Sequence, residues 1–162
     1  MAKLKIITGL DNPILRKVSE PVKNFDKSLK KLVKDMKETM TSASGLGLAA
    51  PQVGENVRMF LITLDYGKAG QKLIALFNPE ITYPDNKMEI DEEGCLSLPG
   101  MYGKVERYVN CVVEFKDVDG HNQVLKLSGL NAREVQHEND HLDGIMFPDR
   151  MGKGSKTEDL LF

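Results

Sequence analysis

Apolar side chains recur every three or four positions from Asn24 or Asp26 to about Ser42, and lysines and acids fill most positions between them. On a helix this spacing gathers the apolar side chains on one face and leaves the charged ones on the other. The pattern predicts an amphipathic α-helix near the N-terminus, with its lysines in solvent. The apolar face consists of Phe25, Leu29, Leu32, Val33, Met36 and Met40.

Farther along the chain the pattern changes to short β-prone runs. The second run is closed by Asn78-Pro79, and the last two are separated by the turn residues Asp119-Gly120, which predicts a β-hairpin. Within the third run Val109, Cys111, Val113 and Phe115 fall on one face. The predicted strands are 57–64, 73–77, 108–118 and 124–127.

A second helix is predicted from about Leu130 to Leu142, because Ser128-Gly129 can cap its start and Asp143-Gly144 supplies a stop. Strands that come before a late helix indicate an α+β fold, with small antiparallel or mixed β-sheets packed around this C-terminal helix. A short helical turn is expected after Asn12-Pro13. We expect residues 1–150 to form one domain and 151–162 a loose tail.

Composition narrows the class of protein. The 162 residues are 41% hydrophobic and 28% charged with a net charge of -2, so no positive field favours nucleic acid or an anionic membrane. No apolar run approaches the ~20 residues of a membrane span, and the first residues do not resemble a secretory signal. We therefore expect a cytoplasmic protein, in which the two cysteines stay reduced.

The segment His137-Glu138-Asn139-Asp140-His141 has the spacing of a metal site. Each residue of a helix turns ~100°, so His141 lies ~40° around from His137, with Glu138 on the same side. This arrangement fits one metal ion and one water whose proton Glu138 can take. A structural metal site, or a helix with satisfied histidines, remains an alternative.

A catalytic metal of this kind needs a third protein ligand, and no histidine follows His141. His121 comes just after a turn, which favours a solvated imidazole, and Cys111 lies on the apolar face of a strand, which favours the core. Cys95 lies within Glu93-Gly94-Cys95-Leu96-Ser97, whose glycine and polar flanks suit a thiolate ligand as well as a structural cysteine. Together with the helix it suggests a Cys-His-His site.

The stretch Gly45-Leu46-Gly47-Leu48-Ala49-Ala50-Pro51-Gln52 lacks the spacing of a dinucleotide loop and the lysine of a phosphate loop. Its small residues would let the backbone approach a substrate, and Gln52 could donate its amide to a developing oxyanion. A tightly packed connection from helix to strand explains the composition equally well.

Three segments together, 45–52, 93–97 and Gln136-His137-Glu138-Asn139-Asp140-His141-Leu142, resemble the peptide deformylase family in order and spacing. This family removes the formyl group from nascent polypeptides. The resemblance covers roughly residues 3 to 150, and three ordered motifs are far more specific than one.

The resemblance implies roles for individual residues. Cys95, His137 and His141 would bind one divalent metal ion, Fe²⁺ as the working ion, with Zn²⁺, Ni²⁺ or Co²⁺ as other occupants. Glu138 would be the general acid and base, and Gln52 and the backbone amide of Leu96 the oxyanion pair. The substrate-binding residues would be Gly45, Leu46, Gly47 and Leu48, along which the peptide lies, and Leu130, which with Leu46 would form an apolar pocket for methionine.

The implied substrates are N-formyl-methionyl peptides, including nascent chains at the ribosome, without direct nucleic-acid or membrane binding. Asp140 could support the site by pairing with Arg107 or be an ordinary surface charge. Two other functions use the same helix: a metallopeptidase, and a non-catalytic metal-binding module in which Glu138 takes no part in turnover.

Overall fold

A computed structural model describes residues 2–152 of the chain. Two α-helices, α1 and α2, and seven strands, β1 to β7, form the described part, together with two 3₁₀ helices at Ala50–Val53 and Phe147–Arg150. Their bounds are α1 Lys27–Ser42, β1 Gly47–Ala49, β2 Met59–Leu64, β3 Lys72–Thr82, β4 Met88–Cys95, β5 Leu98–Tyr108, β6 Asn110–Lys116, β7 Asn122–Ser128 and α2 Gly129–Leu142.

The strands form two antiparallel sheets. The larger sheet has the order β1-β2-β3-β6-β7, which leaves β1 at one edge, and β4 pairs with β5 in a separate two-stranded sheet. Helix α2 packs against both sheets. The predicted α+β class, with β-sheets around the C-terminal helix, is confirmed.

Both predicted helices are present. Asp26 caps α1, since its side chain accepts a hydrogen bond from the backbone N–H of Ser28. Ser128 occupies the N-cap position of α2, although its side chain makes no capping hydrogen bond. Gly144 adopts φ 73° just beyond α2, as the predicted stop requires. The residues after Asn12-Pro13 form two successive turns, with the N–H groups of Leu15 and Arg16 bonded three residues back.

The large sheet lies between the two helices, and β2 is buried on both faces. Phe60 and Ile62 point into the cluster that contains α2 residues, whereas Met59 and Leu61 point into the cluster with α1. This explains why the sequence of β2 is continuously apolar rather than alternating. Cys111 on β6 is 1% exposed and belongs to the core, as predicted.

The predicted end of the second strand is wrong. The strand expected to end at Asn78-Pro79 continues as β3 to Thr82, with a shift in its pairing with β6 between Phe77 and Glu80. A bulge at this point accommodates a proline, which has no N–H to donate to the ladder.

The pattern did not predict the β4–β5 hairpin. Its inward positions include Glu93 and Arg107, which are buried as charges, and its outward positions include Met88 and Ile90, which are exposed. Apolar residues therefore do not alternate in the way that predicts a strand.

The predicted tail lies at 151–162, and residues 153–162 of it are outside the described part. No helix in the described residues is long and apolar enough to cross a membrane.

Candidate active site

Three side chains that can bind a metal converge where β4 ends against α2. Cys95 is the last residue of β4, and His137 and His141 lie one turn apart on α2. The Cys95 Sγ and His141 Nε2 atoms are 3.4 Å apart, and one ligand atom from each of the three residues lies within 4.8 Å of the others. Bonds of ~2.3 Å to sulfur and ~2.1 Å to nitrogen in a tetrahedral site would separate these two atoms by about 3.6 Å. The donor set therefore fits one divalent ion.

The other candidate ligands lie elsewhere. The His121 side chain is 75% exposed beside the turn after β6, in agreement with a solvated imidazole. Cys111 is in the core, where burial raises the pKa of its thiol to about 11 and opposes formation of a thiolate. Of the two cysteines, Cys95 is therefore the one placed to bind a metal.

Glu93 orients His137. The His137 Nδ1 atom lies 2.8 Å from Glu93 Oε1, which leaves Nε2 of the ring for a metal. Burial disfavours a charge on Glu93, but the hydrogen bonds from His137 and Arg107 outweigh it and hold the Glu93 pKa far below its ordinary value. Because Glu93 is ionised, it accepts the proton of His137 Nδ1 and fixes the tautomer.

A buried ion-pair network surrounds this contact. Arg107 binds both oxygens of Glu93, at 2.9 and 3.0 Å, and donates to Asp140 at 2.6 Å. Arg133 donates to Glu93 at 2.7 Å, and Arg150 donates to Asp140 at 2.9 Å. Asp140 is thus a buried partner of Arg107 rather than an ordinary surface charge. The network joins β4 and β5 to α2.

The two histidines differ in their electrostatic surroundings. Burial and the positive charges of His137 and Arg107 lower the pKa of His141, which favours the neutral imidazole that binds metals. Burial also opposes a charge on His137, but hydrogen bonds with Cys95 and Glu93 outweigh it and raise the His137 pKa. A metal ion at this point would take the place of that proton.

Gln52 presents its amide to the site. Its Oε1 accepts a hydrogen bond from the backbone N–H of Ala49 at 2.8 Å, so its Nε2 must point the other way. Nε2 donates to Ser97 Oγ at 3.0 Å and lies 3.5 Å from Cys95 Sγ. Leu96 is in the turn that joins β4 to β5, directly after Cys95. The amide donor of Gln52 thus lies beside the candidate metal ligands.

Glu138 lies against β1. It is 5% exposed, its Oε2 has no hydrogen-bond partner among the described residues, and a Cβ on Gly47 would lie 2.5 Å from its Oε1. Burial raises the pKa of Glu138 to about 7. A carboxyl group with this pKa can both take and return a proton near neutral pH.

A cleft of about 710 Å³ is lined by Gln52, Cys95, Leu96, His137 and Glu138. Gly45, Leu46 and Gly47 line one side, and Leu130, which is 48% exposed, lies at the start of α2 in the lining. Leu48 was expected beside the substrate, but its side chain is fully buried in the core between α1 and the sheet. Only its backbone, in the edge strand β1, remains available to a peptide.

Some residues of the site were not assigned from sequence. Glu93 falls two positions before Cys95, so both side chains lie on one face of a strand, and this spacing could have indicated a partner for a metal-bound histidine. Glu134 falls one helical turn before Glu138 and also lines the cleft. The contacts of Ser97 with Gln52 and of Arg133 with Glu93 depend on the fold and left no signal in the sequence.

Comparison with known proteins identifies the family of the chain. Residues 4–157 match the family model described as polypeptide deformylase. The peptide deformylases of Endomicrobium trichonymphae and Brucella suis are each 46% identical, over 92% and 93% of this chain and 86% of their own length. The crystal structure of peptide deformylase from Thermotoga maritima superposes with a TM-score of 0.86 at 40% identity, covering 94% of this chain and 99% of that one. The chain belongs to the polypeptide deformylase family.

Proposed function

We propose that Cys95, His137, His141, Glu138, Gln52 and Leu96 carry out the deformylation of nascent polypeptides that membership of this family implies. The convergence of Cys95 with the two histidines, beside a cleft that Glu138 and Gln52 line, supports this assignment. No other part of the described chain combines a metal-binding set with a buried proton acceptor and an amide donor.

Cys95, His137 and His141 would hold one divalent ion. When bound, the ion would lower the pKa of a water molecule and polarise the formyl oxygen. One thiolate and two neutral imidazoles suit Fe²⁺, which we propose as the working ion, and also accept Zn²⁺, Ni²⁺ or Co²⁺. Metal analysis after purification without oxygen would identify the ion, and full activity with Zn²⁺ alone would contradict a requirement for iron.

The residues around this position divide the chemistry among them. Glu138 takes a proton from the attacking water while the oxygen of that water bonds to the formyl carbon. The formyl oxygen becomes an oxyanion, to which the Gln52 amide and the Leu96 N–H donate hydrogen bonds. The C–N bond then breaks, Glu138 returns the proton to the leaving amine, and formate is released.

The substrate would lie along the edge strand β1. The free edge offers backbone groups of 45–48 for pairing with an extended peptide. Leu46 and Leu130 would contact the first side chain of the substrate. We further propose that the substrates are N-formyl-methionyl chains, met at the ribosome in the cytoplasm, since that is where the family's reaction is needed.

An assay of formate release tests the function. The metal-loaded protein should release formate from a formyl-Met-Ala-Ser peptide, whereas an acetylated peptide and internal peptide bonds should stay intact. Cleavage of internal bonds would instead indicate a metallopeptidase. No formate from the formylated peptide would contradict the proposal.

Glu138→Gln tests the proton transfer. The amide keeps the size of the side chain but cannot accept the proton of water, so kcat should fall by at least about 100-fold. Metal content should stay at the wild-type level, because Glu138 is not among the ligands. Full activity in E138Q would favour a non-catalytic role for this carboxyl group.

A further inference from the structure

Glu134 is a buried carboxyl group to which the reaction above gives no role. It is 7% exposed, and both of its oxygens are buried without a hydrogen-bond partner among the described residues. The nearby cation Arg133 is occupied by Glu93 and by the carbonyl groups of Val105 and Glu89. Leaving a buried carboxyl unpaired costs free energy, which a partner from outside the chain could offset.

The position of Glu134 indicates where such a partner would come from. The residue lines the same cleft as His137, Glu138 and Leu130, and lies about one helical turn, ~6 Å along the axis, from Glu138. A side chain of methionine length extends about 5 Å from its Cα. A formyl group placed at Glu138 would therefore bring the tip of its residue's side chain within reach of Glu134.

We propose that Glu134 is a specificity-determining residue, which makes the pocket for the first side chain of the substrate favour a side chain with a hydrogen-bonding tip over an all-carbon one. This inference rests on the proposed function. Leu46 and Leu130 contact the stem of such a side chain, and Glu134 binds its tip. Burial, with the neighbouring Glu138, raises the pKa of Glu134 to about 8, so near neutral pH its carboxyl can donate as well as accept a hydrogen bond.

A purely structural role predicts different behaviour. A carboxyl that stabilised the fold would have partners in the protein, and its replacement would lower the melting temperature. Since Glu134 has none among the described residues, its replacement by an apolar side chain of similar length should raise the melting temperature. A gain in stability combined with a loss of selectivity is what a binding group in the pocket predicts.

The test compares Glu134→Met with Glu134→Gln in the metal-loaded enzyme. Methionine keeps the length of the side chain without a strong hydrogen-bonding group, and glutamine keeps both the size and the hydrogen bonding. The substrates are formyl-X-Ala-Ser peptides with glutamine, norleucine or methionine as X. The measured quantity is kcat/KM for the glutamine peptide divided by kcat/KM for the norleucine peptide. The substrate's glutamine amide must lose its water in every variant, so this cost cancels when the ratio is compared between variants.

This ratio should fall about tenfold from wild type to E134M and stay within about twofold in E134Q. If E134M does not fold, Glu134→Leu, with a smaller apolar side chain, should show the same fall in the ratio. An unchanged ratio in both apolar variants would overturn the inference while leaving the function intact. No formate from the methionine peptide with wild-type enzyme would overturn the proposed function itself, and the inference with it.

Discussion

Gly47 sets the position of the catalytic carboxyl group. A Cβ at this residue would lie 2.5 Å from Oε1 and 2.9 Å from Cδ of Glu138. Gly47→Ala should therefore displace the Glu138 side chain from the attacking water, and misplacement of a catalytic group by about 1 Å costs on the order of 100-fold in rate. Steady-state kinetics should show the loss in kcat, with metal content unchanged.

Gly45→Ala is the matched control for this variant. A Cβ at Gly45 would meet Cδ1 of Leu96 at 2.6 Å, which is the far end of a flexible side chain and can move aside. We expect its kcat to fall by less than about tenfold. Equal losses in both variants would mean that the backbone of this segment, rather than the placement of Glu138, determines the rate.

Glu134 should also leave a mark on stability as a function of pH. Its ordinary pKa of 4.5 rises to about 8 in the folded protein, mainly through burial. Between these values the folded state holds a proton that the unfolded chain has lost, so the free energy of unfolding falls as pH rises from about 4.5 to 8. Glu134→Gln removes this contribution.

Urea unfolding of the metal-free proteins would measure the effect. From pH 5 to pH 8 the wild type should lose more stability than E134Q, and the free energy difference should grow to the order of 2–4 kcal/mol. The burial of Glu138 is common to both proteins, so the comparison isolates Glu134 together with its interaction with Glu138. Parallel pH dependence of the two proteins would contradict a buried, protonated Glu134.

Arg107 joins the β4–β5 hairpin to α2. It is 4% exposed and binds Glu93 and Asp140, so its removal leaves two buried carboxylates with fewer partners. Arg107→Met should lower the free energy of unfolding by about 3–5 kcal/mol. It should also weaken metal binding by about 10-fold or more, because Glu93 orients His137. Chemical denaturation and metal titration would measure the two effects.

Arg150→Met is the control for Arg107. Its side chain is 48% exposed and donates to the same Asp140. An ion pair whose arginine is half-exposed contributes little, and Asp140 keeps its buried partner Arg107, so this change should cost less than about 1 kcal/mol and leave metal affinity near the wild-type value. Equal effects would show that Asp140, rather than the buried contact with Glu93, carries the coupling.

Among the helices and strands, the sequence predicted those whose apolar spacing is regular. The α1 face, the continuously apolar β2 and the α2 segment with its glycine stop all follow from local patterns. The β4–β5 hairpin does not, because Glu93 and Arg107 occupy inward positions, where they are stabilised by pairing with each other and with partners from α2. A buried charge is read as a surface position until its partner is known.

The same limit applies to the candidate site. His137, His141 and Glu138 could be grouped from helical spacing, and Cys95 was added by its local context, because each signal lies within a few residues. The contact of Gln52 with Ser97 and the burial of the Leu48 side chain depend on which strands pair, so they required the fold. Glu134 combines both cases. Its position one helical turn before Glu138 follows from the sequence, but only the structure shows that its carboxyl group has no partner among the described residues.

Considered as a whole, the molecule uses its N-terminal segment to hold the three motif segments together. The Ile7 N–H donates to the Gln52 carbonyl, the Gly9 N–H to the Ser97 carbonyl and the Ser19 N–H to the Leu142 carbonyl, at 2.7 to 3.0 Å. The three acceptors belong to three different motif segments, 45–52, 93–97 and 136–142. Residues 2–20 therefore act as a strap across elements that are far apart in sequence.

Gly144, just beyond the end of α2, lies against the strap at Arg16. A Cβ at Gly144 would overlap the backbone of Arg16, including its carbonyl oxygen, and the φ of 73° already disfavours a side chain. Gly54 has a similar φ of 84° but nothing within 4 Å of the Cβ position. Gly54→Ala should therefore cost only the ~1–2 kcal/mol of the left-handed conformation, whereas Gly144→Ala should cost about 2 kcal/mol more through the clash.

Thermal and urea denaturation of the two variants would separate strain from overlap. Since backbone atoms cannot rotate aside as a side chain can, Gly144→Ala must move either the strap or the end of α2. Because Ser19 bonds to Leu142 next to His141, that movement should also lower metal affinity, and Gly54→Ala should not. Equal losses of stability and equal metal affinities in the two variants would show that the strap does not position the site, and that α2 and the sheets hold the ligands without it.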